Sequence, residues 1–541
     1  MARIQDLVTG STTGCPPDTD PAGRAPRRTP HMKRIPTLAA AACLVLLSAC
    51  GGGDGGSGGA DSGDVDTSAT LRYAASGGAT SFDPHKTVSS SDFLVLSYAY
   101  DRLVHVDSEG QPVPGLAESW EFAEDMSTLT LNLRQGVEFP DGTPFDAKAV
   151  KANLDRAMQD DSITAAQLGA VDSVRVVDDA TVELALGGPA VHLVLSLSDL
   201  GGMMVTPSAF DDPKALALAP DGIGRFTLAD SQPGARYQFE ATENYWDEDG
   251  LKLAGFDLQV ITDPQTVLNG VGSDQFDCAL VSPAMIDPAS QIPGTNVETR
   301  TVLTQTVLFP NQTKSEFGDV RVRQALNHAI DREAVLEGAQ EGHGEASTGL
   351  FPSDYFVPND AVSDLMAYDP DRAKELLAEA GLEDGFSFTA ITLTIPQFVT
   401  TAEIIKEQLA AVGIEMTIKA LPPADAGVSF LNGDSDAVIS GWTGRPDPSM
   451  LLTNYFAEDA PQNVSHVEPE GFTDALAAAN AEEDTETRGE LLDAAQLTVL
   501  EHGAVVPITF NSVGTVCSED VVGYEAPLIG NSEFRGVGIT G

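Results

Sequence analysis

The chain predicts an α/β protein, and three observations carry that expectation. Apolar runs with strand-like alternation are interleaved with runs of helical spacing. In the second half a strand, a helix and a second strand follow with short links, a βαβ unit whose crossover makes the strands parallel. The 541 residues exceed a typical single domain, so two or more domains with large buried cores are expected.

Taken in order, residues 71–75 read as a strand that ends in Ser76-Gly77-Gly78. Residues 129–133 alternate strictly, the mark of a half-buried strand. Over 145–158, Val150, Leu154 and Ala157 share one helical face. Residues 174–177 and 181–186 flank Asp178-Asp179-Ala180 and read as a hairpin. Asp319 can cap a helix carrying Val322, Ala325, Leu326, Ala329 and Ile330. Asp369-Pro370 opens another, with Ala373, Leu376, Leu377 and Ala380 inward and Gly381 as its stop. The βαβ unit comprises strand 386–393, helix 402–412, a break at Gly413 and strand 414–418. Late helices near 472–481 and 487–500 precede a last apolar strand, 504–510. No segment recurs at a fixed period.

The N-terminal region reads as an address. Lys33 and Arg34 precede an apolar run over 35–49, a secretory signal too short to span a bilayer. It closes in Leu47-Ser48-Ala49-Cys50, which resembles a bacterial lipobox and implies lipidation of Cys50. Residues 51–70 are almost purely Gly, Ser, Asp, Ala and Thr, a tether with an end-to-end distance of roughly 25 Å. Gly55-Gly56-Ser57-Gly58-Gly59 matches the letters of a hydrolase elbow without the strand and helix that motif needs. Residues 1–31 read as a spurious extension ahead of a natural start at Met32.

With 81 acidic against 30 basic residues and a net charge of −51, nucleic acid is excluded as a partner, because its phosphates would be repelled. A basic membrane patch is excluded likewise, so attachment must come through lipid. Of five cysteines, Cys278 and Cys517 remain after processing and lipidation. They form either a bridge or two separately buried thiols. The eight histidines are scattered, and His343 with Glu341 or Glu345 sits on a Gly-rich loop that reads as surface. There is no CxxC, HExxH or phosphate loop, so no cofactor, metal or catalytic residue is expected.

Several phrases occur in an order that resembles the peptide/nickel-type solute-binding proteins of bacterial ABC importers, extracellular solute-binding family 5. They are Ser81-Phe82-Asp83-Pro84-His85, Pro114-Gly115-Leu116-Ala117-Glu118-Ser119-Trp120, Leu133-Arg134-Gln135-Gly136-Val137-Glu138-Phe139 and Asp141-Gly142-Thr143-Pro144-Phe145. Later come Asn244-Tyr245-Trp246-Asp247, Asp319-Val320-Arg321-Val322-Arg323-Gln324-Ala325-Leu326 running on to Ala329-Ile330-Asp331-Arg332, Gly441-Trp442 and Asp447-Pro448. Physically most are structural: turns, anchors, and Arg321 and Arg323 as solvated or ion-paired helix residues. Gly222-Ile223-Gly224-Arg225-Phe226 departs from the family's Gly-Thr-Gly-Pro, keeping the turn glycines while Ile223 and Arg225 alter its surface.

The resemblance implies a two-lobed periplasmic-binding fold with a hinge. Residues 1–31 fall outside it, 32–49 are the signal peptide and 50–70 the lipidated tether. Lobe I spans 71–300 with an extra subdomain at about 101–206, lobe II spans 301–503, and 504–541 return to lobe I. It further implies a monomer that captures a peptide-like or other small polar solute, anionic ones included, by hinge closure. The solute passes to an ABC permease with ATPase subunits, from an extracytoplasmic position anchored to the membrane at Cys50. Two other readings are a membrane-anchored peptide-signal receptor uncoupled from import, and a secreted hydrolase.

The segment expected to touch solute is 439–448, which leaves an apolar strand at its carboxyl end, where open α/β sheets form crevices. Trp442 offers a flat surface with one N–H donor, and Asp447 follows. Peptide-binding relatives commonly carry, three positions after this Trp, an Asp that pairs with the peptide amine; here it is Arg445, as in the glutathione-type branch. Pointing inward, its planar fork would take a carboxylate or phosphate; pointing outward, it pairs with Asp447 or another acid. From the other lobe, Ser81, Phe82, Tyr98 and Tyr100 are candidates, with Asn311 past the first crossover.

Overall fold

Two long antiparallel strands, Thr295–Pro310 and Val506–Ser518, form the spine of the protein. The computed structural model describes residues 65–541 apart from 88–91, 443, 461 and 531. Cys50, the signal segment and most of the tether lie outside the described residues.

An 11-stranded mixed sheet is built on this spine. Ala437–Trp442, Phe386–Leu393 and Ile414–Leu421 extend it beyond Thr295–Pro310. On the other side follow Cys278–Val281, Thr70–Ala75, Gly255–Val260, Arg236–Ala241 and Phe226–Gln232. The spine's pairing breaks between Thr301 and Gln305: residues 295–301 lie against 512–518, and 305–308 against 506–510. The break separates two sets of cores. On the first side Tyr73, Tyr98, Phe256 and Phe534 pack ring to ring, with Tyr98 and Phe256 centroids 4.3 Å apart. On the second side alternation along the strand sends Leu308 under the helices Val320–Ala329 and Pro396–Ala411, and Val307 under Pro448–Phe456 and Thr485–Glu501.

A separate antiparallel sheet orders Ala117–Phe122, Thr128–Leu133, Thr181–Leu186 and Val171–Asp178. It packs its own core of Leu131, Val150 and Leu184 against the helix Ala147–Ala157. The hairpin read around residues 178–180 is the last two strands of this sheet.

The βαβ unit is present, with Phe386 opposite Ile414 in parallel register. Its helix starts at Pro396, six residues before the expected 402, because proline at the first helical position lacks only an N–H that would be unbonded anyway. Asp319 and Asp369 cap their helices, each side chain accepting a backbone N–H at 2.9 Å. Gly381 ends the second helix at φ +76°. The last strand does not stop at Phe510 but runs to Ser518.

Three expectations are corrected. Gly222 and Gly224 serve close packing rather than a turn: a Cβ on Gly224 would lie 2.1 Å from the Ala99 carbonyl oxygen. Ile223 and Arg225 are buried, and Arg225 Nη2 donates to the Glu533 carbonyl at 2.6 Å, so they do not alter a surface. Arg323 is buried and, among the described residues, makes no ion pair; it donates to the carbonyls of Phe317 and His502 instead. Cys278 and Cys517 face each other across neighbouring strands and their sulfurs are bonded. Among the described residues no helix is long and apolar enough to cross a membrane.

Candidate functional site

The strand Ala437–Trp442 ends in a loop that leads into the helix Pro448–Phe456. Asp447 caps that helix, accepting from Ser449 N at 2.9 Å and from Ser449 Oγ at 2.6 Å. The same carboxylate is fully buried and ion-paired with Arg488 at 2.8 Å. Burial alone would raise its pKa, but the Arg488 guanidinium outweighs burial and holds the carboxyl below its ordinary range. Asp447 is therefore occupied, and Arg445, two residues earlier, does not pair with it. Arg445 is exposed and, among the described residues, makes no hydrogen bond or ion pair.

Arg445 lines a cavity of 730 Å³, within the roughly 300–1,000 Å³ typical of small-molecule sites. One wall is the helix face Ser449, Met450, Thr453, Asn454 and Ala457, with Asp459 beyond it. The facing wall comes from before the spine: Thr87, Ile163, Ala166, Gln167, His192 and Leu200. The walls meet where Val191 N donates to Asn480 O at 3.1 Å and Ser196 Oγ to Met450 Sδ at 3.2 Å.

The facing wall is held by a buried cluster behind it. Arg156 binds both oxygens of Asp83, Nη2 to Oδ2 at 2.5 Å, and touches His85 Nδ1 at 2.8 Å. Burial first, then the Arg156 charge, lowers the His85 imidazole to about 3. His192 is also shifted down, by burial and Arg488 against the opposing pull of Asp447, so it presents a neutral ring. Gln167 donates to Asp199 Oδ2 at 2.9 Å, while its Oε1 is buried and has no hydrogen-bond partner among the described residues.

The other expected site residues are placed elsewhere. Trp442 is 2% exposed and packs in an aromatic cluster with Phe309 and Tyr455, 5.5 and 5.0 Å between centroids. Phe82 and Tyr100 are core residues, the Tyr100 hydroxyl donating to the Phe82 carbonyl at 3.0 Å. Tyr98 is equally buried and donates to the Ser532 carbonyl at 2.9 Å. Ser81 is half-buried and accepts from Asp83 N at 3.1 Å. Asn311 lines a different cavity of 30 Å³ beside Gln312 and Ser465. Of the expected residues, only Arg445 lines the large cavity, with Asp447 fixing the helix behind it.

Sequence reasoning missed the helix face, Asp459, Gln167 and His192. The polar spacing of Ser449, Thr453 and Asn454 directly after the candidate loop is a signal that could have found the helix face. Gln167 and His192 carry no local signal. Among the described residues no group of His, Cys, Asp or Glu could hold a metal ion. His343 instead lies 3.3 Å from Asp287.

The α/β architecture with its wide cavity is that of the two-lobed binding proteins. Residues 111–463 match the model of bacterial extracellular solute-binding proteins, family 5, and the chain belongs to that family. It is 28% identical to the dipeptide-binding protein of Escherichia coli K12, covering 87% of this chain and 94% of that one. It is 27% identical to the glutathione-binding protein of Salmonella typhimurium, over 82% and 90% of the two chains. Among solved structures, the binding protein AgaA of A. tumefaciens R10 in complex with agropinic acid superposes with a TM-score of 0.75 at 25% identity, over 87% and 98% of the chains. Members of this family are extracytoplasmic binding components of transporters, not enzymes.

Proposed function

We propose that this chain is the membrane-anchored solute receptor of an ABC importer, holding a small polar solute with an anionic group in the 730 Å³ cavity. The observation that carries the reading is Arg445, a cation on the cavity wall with no hydrogen bond or ion pair among the described residues, while its neighbour Asp447 is taken by Arg488. The two walls belong to two lobes, 71–300 with the C-terminal return, and 301–503. The spine's break at Thr301 and Gln305 is the place to hinge. A solute touching both walls stabilises the closed arrangement, because only there are both sets of contacts made. Lipid on Cys50 keeps the receptor beside its permease, and the tether leaves the lobes free to move.

Native mass spectrometry of protein purified from its producing cells identifies the co-purified solute. Arg445→Ala is expected to weaken that solute by about 1.5–3 kcal/mol, the range for hydrogen bonds to charged groups. Unchanged affinity in a calorimetric titration overturns the assignment. Cys50→Ser is expected to release the protein from membranes, and labelled fatty acid entering that variant would refute the anchor.

A further inference from the structure

Arg445 and Asp459 stand three residues before and three residues after the helix Pro448–Phe456. Both are exposed, both line the same cavity, and neither has a hydrogen bond or ion pair among the described residues. In a chain with 81 acidic and 30 basic residues, an unpaired Asp on the surface is ordinary. An unpaired Arg on a cavity wall is not, and the acid at the far end of that wall gains meaning from it. Between them Ser449, Met450, Thr453, Asn454 and Ala457 fall at helical spacing on one face, so a single groove runs along the helix from cation to anion. The helix end is not the anion site, because Asp447 caps it. Among the described residues the facing wall carries no carboxylate, Lys or Arg, so charge recognition falls to the two ends of the groove.

We propose that the cavity takes an elongated dipolar solute, with its anionic end on Arg445 and its cationic end on Asp459. The inference rests on this cavity being the solute site. The nine-residue helix rises about 14 Å. An extended chain covers about 3.3–3.6 Å per residue, so the matching solute is a peptide-like chain of roughly three to five residues. A single amino acid or a dipeptide, at about 3.3–3.6 Å per residue, is shorter than the helix that separates the two residues. The charge at position 445 thus does not remove amine recognition; it moves the amine to the other end of the helix.

The test is calorimetric titration of the protein with alanine peptides from two to five residues, each free, N-acetylated or C-amidated. Affinity is expected to rise at least tenfold from the dipeptide to the best longer member. C-amidation is expected to weaken the best peptide at least tenfold in the wild type but not in Arg445→Gln. N-acetylation is expected to do the same in the wild type but not in Asp459→Asn. A flat length series, no binding by any member, or equal sensitivity to acetylation in wild type and Asp459→Asn overturns the inference. If acetylation has no effect while Arg445→Gln and amidation act as stated, this inference fails and the function proposed above stands. If Arg445→Gln has no effect on any bound peptide, both fail.

Discussion

Two regions of the molecule treat charge in opposite ways. Around the C-terminal tail, Arg102 donates to both oxygens of Glu533 at 2.7 and 2.6 Å. Asp101 accepts from Tyr245 and Trp246 at 2.6 Å each and lies 2.7 Å from His105. Arg535 pairs with Asp247. Arg102, Asp101 and His105 are all buried. Along the cavity, by contrast, Arg445 and Asp459 are exposed and unpaired among the described residues. Charges taken out of water must be paired, since an uncompensated buried ion is strongly destabilising. Charges left hydrated carry no such requirement and stay available to a ligand. The first region joins the tail to the chain near residue 101, and the second is free to bind.

The sharpest way to break this contrast is Glu533→Ala, which strands Arg102 inside the protein. A loss of about 3–5 kcal/mol in denaturant unfolding is expected, and a loss under about 1 kcal/mol would abolish the distinction. Acid acts on the same network. Burial alone would raise the Glu533 carboxyl, but Arg102 outweighs it and holds the folded-state pKa at about 2, against 4.5 for a free side chain. A depressed carboxylate stabilises the fold above pH 4.5 and loses that contribution as pH falls toward 2. His105 is lowered by burial to about 4 from 6.5, so the fold holds it neutral and loses stability as pH falls between those values. The Tm should therefore decline steadily below pH 6.5, and Glu533→Gln should flatten the part below 4.5. A Tm independent of pH across that window would refute the network's role. The smallest effects belong to the cavity, where Arg445→Ala and Asp459→Asn should each change folding stability by less than about 0.5 kcal/mol. A larger loss from either would show it to be structural and erase the contrast.

Much of the second half was legible because its elements announce themselves locally. Strand 386–393, the following helix and strand 414–418 have apolar spacing, and Asp319 and Asp369 sit where helices begin. The spine was not legible. Thr295–Pro310 is rich in Thr and carries Asn296, Glu298 and Arg300, and it passes from a partly exposed stretch into two different cores, so no single period marks it. Val506–Ser518 carries Asn511, Ser512 and Gly514 in mid-strand, which masks its continuation beyond Phe510. Trp442 looked like a ligand surface because it follows a glycine at a strand's end, yet alternation turns it into the core beneath the helix Pro448–Phe456.

By itself the sequence determined the α/β class, the family and the reversed charge at Arg445, because these are local patterns or ordered phrases that need no folding to be read. Only the tertiary structure decided what that charge means. Whether Arg445 is free depended on Arg488 reaching Asp447 from another helix. Whether it faces a cavity depended on Gln167 and His192, more than two hundred residues away in the chain, being folded opposite it. Pairing and enclosure are properties of groups brought together from distant segments, and no local pattern encodes them.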